Sequence, residues 1–371
     1  MNEKTGEFPG EKKEATFENV SREIILKAYE LYSKMHDPGG EDPKEYHVSG
    51  HPRRMERDGE QIADILHLSL KERLLAMLGI AAHDLVMNYK KADPNKVTSM
   101  ISRHRGAREG DEPMGAQGNA GKSARWLAEE MRKANEHAGI EIFTEEEISN
   151  TVWGIDTTYP KDKFGALFEE YPYYEIALQQ NQALGELLGE LKEQGIVKGP
   201  LFSQPHLEKP LEEGTRVPRE VLIVALTDLG AVGTGGKEEF FKEGDNEMRE
   251  LLGNLRIPEV MRRISGGDED ADRADREEVT GTFVRWLDSQ PGFAVWQALR
   301  FEKIMHLLKQ QNGISPEEEQ GMRNLFCHFV ENIRATRDRS LELKAEVERM
   351  KSSVGEKEAF LFLARSMHYE I

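Results

Sequence analysis

Leu74-Leu75-Ala76-Met77-Leu78-Gly79-Ile80-Ala81-Ala82-His83-Asp84-Leu85-Val86-Met87 is an apolar run of helix length, broken by an adjacent histidine and aspartate. The run predicts a buried helix over residues 70–89 around which the rest of the chain is arranged. Its two polar residues need a partner, because an uncompensated polar group among aliphatic neighbours costs roughly 2–7 kcal/mol. Two readings supply one. A divalent cation would satisfy imidazole nitrogen and carboxylate oxygen together, and a buried His83–Asp84 hydrogen bond would satisfy both without an ion.

Working outward, a histidine at a helix mouth and a carboxylate in a second apolar helix join this pair. Upstream, Tyr46-His47-Val48-Ser49-Gly50-His51-Pro52 precedes a helical pattern marked by Met55, Ile62, Ala63, Ile65 and Leu66. Pro52 suits the first helical position and puts His51 at the helix mouth. Downstream, Pro218 opens Val221-Leu222-Ile223-Val224-Ala225-Leu226-Thr227-Asp228-Leu229, a helix apolar nearly all round. Asp228 shares a face with Val221, Val224 and Ala225. A third carboxylate, Asp156, follows Ile148 by eight residues on the apolar face of a helix opened by the Thr144–Glu147 capping box.

The remaining segments are read as helices and connections. Residues 1–18 are polar and predict a flexible tail. A helix follows over about 19–36 until Asp37-Pro38-Gly39-Gly40 stops it, and another runs over 119–137 to Gly139. Residues 159–219 read as a helical insertion with an aromatic loop and a Leu-rich helix ending at Gly195. Residues 264–276 are the linker candidate, and Ser315-Pro316-Glu317-Glu318 opens a long helix to about 352. Gly233-Thr234-Gly235-Gly236-Lys237 lacks the Walker spacing and a preceding strand, so it reads as a plain loop. No sustained alternation of β-branched residues occurs, and the expected class is all-α. The expected organisation is a tail over 1–18, a domain over 19–255 and a C-terminal helical region over 275–371. The C-terminal helices are read as a cover for the pocket or as a homodimer face.

Composition narrows the function classes. The 371 residues carry 50 Lys+Arg against 68 Asp+Glu, a net charge of -18. That balance argues against a nucleic-acid polymer as partner and against an anionic membrane surface. The single cysteine, Cys327, excludes an internal disulfide framework and a Cys-rich zinc site, and is expected to be a buried thiol on a helix. The polar N-terminus and the lack of an apolar run of about 18 residues lead to the expectation of a cytoplasmic protein.

Taken in order, His51, His83-Asp84 and Asp228 resemble the H…HD…D signature of the HD superfamily of metal-dependent phosphohydrolases. Tyr46-His47-Val48-Ser49-Gly50-His51 resembles that family's Tyr-His-Asn-x-x-His opening, Ala81-Ala82-His83-Asp84-Leu85-Val86 its central helix, and Leu226-Thr227-Asp228-Leu229-Gly230 its closing Ala-Asp-Leu segment. The resemblance covers about residues 20–250 and implies a helical core in which His51, His83, Asp84 and Asp228 bind one divalent ion (Mn, Mg, Co, Ni, Fe or Zn). It departs from the family at Asn119-Ala120-Gly121-Lys122-Ser123-Ala124, where many members carry a glutamate, and in the long gap between Asp84 and Asp228. The gap is assigned to the 159–219 insertion; failing that, Asp156 is the replacement ligand. His47 and His104 are the histidines available for a second ion, but a single ion is expected.

The implied chemistry is hydrolysis of a phosphate ester of a small molecule such as a nucleotide. The ion activates water and offsets phosphoryl charge, while Asp84 takes a proton from the attacking water. Nearby cations would bind the substrate, and Arg54, Arg103, Arg105 and Lys122 are the candidates. The competing expectations are a metal- or nucleotide-binding regulatory module with little catalysis and a helical scaffold with no ion.

Overall fold

The computed structural model describes residues 9–87, 119–158, 161–171, 173–196, 198–203, 206–207, 213–251, 257–266 and 273–369. The described chain is all-α apart from one small ribbon. In order it forms α1 (Pro9–Met35), α2 (Gly50–Ile65), α3 (Leu70–Ala82), α4 (Asn119–Ala138), α5 (Glu145–Thr157), β1 (Lys161–Leu167), α6 (Tyr174–Gln180), α7 (Gln182–Glu193) and β2 (Lys198–Ser203). It continues with α8 (Arg219–Thr227), α9 (Ala231–Thr234), α10 (Lys237–Leu251), α11 (Ile257–Ser265), α12 (Arg273–Asn312), α13 (Pro316–Leu325), α14 (Phe329–Ser353) and α15 (Glu356–Ser366). No described helix is long and apolar enough to cross a membrane.

The apolar run that opened the sequence reading is the centre of the main core. Leu74 through Ala82 are all buried, and α3 touches α1, α2, α4, α5 and α8. Full burial of each Leu, Ile or Met stabilises by about 1.5–3 kcal/mol, so this one helix anchors much of the domain. Close approach to α8 depends on missing side chains. A Cβ on Gly79 would lie 2.9 Å from Val224 Cγ2, and one on Gly154 of α5 would lie 3.1 Å from the same methyl group. Val224 is therefore seated between two glycines, which brings the buried helix α8 alongside α3 and α5.

Local signals set several boundaries. Ser69, Thr144 and Ser315 each cap their helix in a reciprocal box with Glu72, Glu147 and Glu318. Gly139 follows α4 with φ +63°, the left-handed geometry that glycine accepts without strain.

Other boundaries differ from the sequence reading. Helix α1 begins at Pro9, inside the segment expected to be a tail, and Phe17 is buried in the main core. Helix α3 stops at Ala82, not near residue 89. The apolar pattern hid this end because Leu85 and Met87 stay buried after the helix has stopped. Pro52 is the third residue of α2, with Ser49 as the capping residue. Asp228 likewise follows α8 and does not lie inside it.

The 159–219 insertion is not purely helical. β1 and β2 pair antiparallel, with Lys161 opposite Ser203 and an irregularity between Lys163 and Ala166. Lys-Asp-Lys-Phe-Gly-Ala-Leu has no β-branched residue, so the strand is stabilised by a distant partner and carries no local signature. The helix expected over 315–352 breaks at Phe326-Cys327-His328. There Phe326 and Phe329 turn inward against Phe301, and the His328 N–H donates to the Gly233 carbonyl at 3.2 Å. Cys327 sits in that turn and is exposed, not buried on a helix.

A second, smaller apolar core joins Met248 of α10, α11, residues 279–287 of α12, Val347 of α14 and residues 359–367. Helix α12 runs through both cores, with Pro291 between its two halves. Its second half, from Ala294, belongs to the main core. Of the expected linker, residues 267–272 lie outside the described residues.

Candidate metal centre

Three helix ends meet in the main core. His51 is the second residue of α2, while His83 and Asp228 are the first residues beyond the helical turns of α3 and α8. His83 and Asp228 stand at the C-terminal ends of α3 and α8, where the helix dipole favours a cation. One donor atom from each of His51, His83 and Asp228 lies within 4.8 Å of the other two. His51 Nε2 and His83 Nε2 are 3.2 Å apart. Asp84 Oδ2 lies 3.0 Å from His83 Nε2 and 3.9 Å from His51 Nε2.

These donors fit a divalent ion on chemical grounds. His83 Nδ1–H donates to the Ile80 carbonyl at 2.7 Å, which leaves the Nε2 lone pair facing the cluster. Two imidazole nitrogens bound to one ion at about 2.0–2.1 Å, at an angle of about 90–110°, stand about 2.8–3.4 Å apart. The observed 3.2 Å separation falls in that interval. Burial holds the His51 imidazole well below its usual range, helped by His83, Arg54 and His47, so it presents the neutral ligand form. Burial also pulls His83 down, but Asp84 and Asp228 outweigh it and raise its proton affinity. His51 Nδ1 is buried with no hydrogen-bond partner among the described residues.

A second layer orients the cluster. Glu250 of α10 accepts the Tyr46 and His47 backbone N–H groups at 2.8 and 2.9 Å and pairs through its other oxygen with His47 Nδ1. His47 Nε2 then lies 3.5 Å from Asp84 Oδ2. The Asp84 N–H donates to the Tyr32 hydroxyl at 3.1 Å. Arg300 of α12 is buried, and its Nη1 donates to Asp228 Oδ2 at 3.1 Å while Nη2 donates to the Thr157 carbonyl at 3.1 Å.

The other candidates fall in different places. Arg54 is buried, with Nη1 3.2 Å from Asp58 Oδ2 and Nε 2.6 Å from Glu243 Oε1, so two carboxylates already neutralise its charge. Lys122 is half-buried on the first turn of α4, next to Ser123, whose hydroxyl accepts the Val86 N–H at 3.0 Å. Arg103, His104 and Arg105 lie outside the described residues. Asp156 is half-buried at the end of α5 and is not a member of the three-residue donor group. Burial alone pushes its carboxyl up to about 6.

Glu250 and Arg300 escaped the sequence reading. Glu243, Glu247 and Glu250 recur at helical spacing, which was the one available hint of a face turned toward the site. Arg300 carried no such hint, since its helix lies beyond the expected linker.

Beside the donors opens a small cleft, lined by Tyr46, Asp228, Gly230, Glu243, Gln290 and Gln297 among others. Its walls combine aromatic, amide and carboxylate groups. No family model, curated protein or solved structure matches this chain.

Proposed function

We propose that this protein is a metal-dependent phosphohydrolase of the HD type, acting on a phosphate ester of a small molecule such as a nucleotide. The single observation that carries the reading is the pair of inward-facing imidazole nitrogens 3.2 Å apart, flanked by carboxylates from two other positions of the chain. His51, His83, Asp84 and Asp228 would hold one divalent ion. Such an ion, when bound, lowers the pKa of water and offsets phosphoryl charge.

The chain's own groups divide the remaining work. Asp84 accepts a proton from the water that attacks phosphorus, and the bond from phosphorus to the leaving oxygen breaks as the new one forms. His47, held at Nδ1 by Glu250 with its Nε2 3.5 Å from Asp84, would orient that carboxylate. Arg300 anchors one oxygen of Asp228 and so limits its rotation. The cleft beside Asp228 opens next to the donors, and the net charge of -18 disfavours a polyanionic polymer.

The test is elemental analysis of the purified protein, followed by assays of chelator-stripped protein reloaded with Mn, Mg, Co, Ni, Fe or Zn. Phosphate release is measured from nucleoside monophosphates and simple aryl phosphates. Stoichiometric metal with turnover is the expected result. Protein that retains no divalent ion, or that is loaded and inert across the panel, refutes the reading.

A further inference from the structure

Gln297 lies on α12 one turn before Arg300, is buried, and lines the cleft beside Asp228. Arg300 Nη1 donates to Gln297 Oε1 at 3.4 Å and to Asp228 Oδ2 at 3.1 Å. A guanidinium only donates, so the amide must present its oxygen to Arg300 and turn its NH2 group away. That NH2 group has no hydrogen-bond partner among the described residues. Gln297 lines the cleft, so this unpaired donor is open to an acceptor supplied from outside the chain.

The acceptor's chemistry follows from its surroundings. The same arginine nitrogen holds the amide oxygen and the carboxylate of Asp228, and Gln297 and Asp228 line the same cleft. The positive charge of Arg300 behind the amide polarises it toward an anionic acceptor. We propose that Gln297 is a substrate-contacting residue that donates its amide N–H to an oxygen of the substrate's phosphoryl group, with Arg300 as the positioning residue that sets the amide's orientation. This inference rests on the phosphohydrolase reading.

The experiment measures binding of inorganic phosphate to metal-loaded protein by calorimetry, with metal content determined on the same samples. Gln297→Met removes the donor at similar volume. Gln297→Glu keeps the acceptor for Arg300 and replaces the NH2 group by a carboxylate oxygen. Both are expected to bind one ion as wild type does and to bind phosphate about 10- to 100-fold more weakly, the loss expected for one hydrogen bond to a charged group. Arg300→Lys, which cannot bridge Asp228 and Gln297 in the same geometry, is expected to weaken phosphate binding while raising KM more than it lowers kcat. Phosphate affinity unchanged in Gln297→Glu, or no phosphate binding by metal-loaded wild type, overturns the inference and leaves the metal centre standing. Wild type without metal removes both readings together.

Discussion

Glu250 grips His47 from 203 residues away, through its backbone N–H and imidazole Nδ1, and also accepts the Tyr46 backbone N–H. The contact fixes the ring so that Nε2 faces Asp84 at 3.5 Å, and it ties α10 to the loop before α2. Glu250→Gln keeps the shape but removes the charge that supports the imidazole. The expected outcome is a 10- to 100-fold loss in kcat, roughly that of altering a group that orients a ligand-bearing site, with metal stoichiometry retained. Steady-state kinetics beside elemental analysis checks it.

Replacing His83 by alanine removes the nitrogen that lies 3.2 Å from His51 Nε2 and 3.0 Å from Asp84 Oδ2. The variant should lose stoichiometric metal and turnover together. An active His83→Ala protein with full metal content would contradict the assignment of the site.

Ion binding should also be visible as stability. A ligand that binds only the folded chain stabilises it by about 2.7 kcal/mol at a free concentration of about 100 times its Kd. Thermal melts of chelator-treated protein should therefore shift upward as the preferred ion is added, and the shift should vanish in His83→Ala.

Asp156 gives a pH signature independent of the metal. Burial raises its folded-state pKa from 3.8 to about 6, so the ionised form is disfavoured in the folded chain. Its contribution to stability is complete below about pH 4 and is lost as pH rises through about 6. The loss amounts to about 3 kcal/mol at most, from roughly two pKa units at about 1.4 kcal/mol each. Asp156→Asn should match wild type near pH 4 and exceed it at pH 7.5 in urea melts. Equal stability at both pH values would contradict the burial effect.

Gly79 tests the packing that delivers Asp228. An added methyl group would lie 2.9 Å from Val224 Cγ2. The overpacking cost of about 1–3 kcal/mol exceeds the helix-propensity gain of about 1 kcal/mol. Gly79→Ala should therefore be less stable than wild type by up to about 2 kcal/mol. Combined with Val224→Ala, which frees the space, it should cost less than the two single changes added together. Strict additivity in denaturant melts would show that the contact is relaxed elsewhere.

What could be read along the chain was local. The all-α class followed from helical spacing, the starts of α5 and α13 from Thr144 and Ser315 with their glutamates, and the end of α4 from Gly139. His83 and Asp228 stood out because each is polar within an apolar pattern, and His51 by its place at a helix mouth; the structure brings one donor atom of each of the three within 4.8 Å of the others. The sites where α3 and α8 stop could not be read, since burial continues past His83 and Asp228 whether or not the backbone stays helical. The β1–β2 ribbon was hidden for a related reason: its stability comes from a partner strand more than 30 residues away, and its own residues do not favour a strand.

Only tertiary structure decided which groups hold the site in place. Arg300 and Glu250 are unremarkable charges on helical faces until packing sets them against Asp228 and His47. Arg54, read as a substrate contact, meets Asp58 and Glu243, because a buried guanidinium must be neutralised by whatever carboxylates the fold brings to it. Residue type and spacing determine a helix and its caps, whose hydrogen bonds span three or four residues. The partner of a buried charge is chosen across hundreds of residues, by the shape of the assembled core.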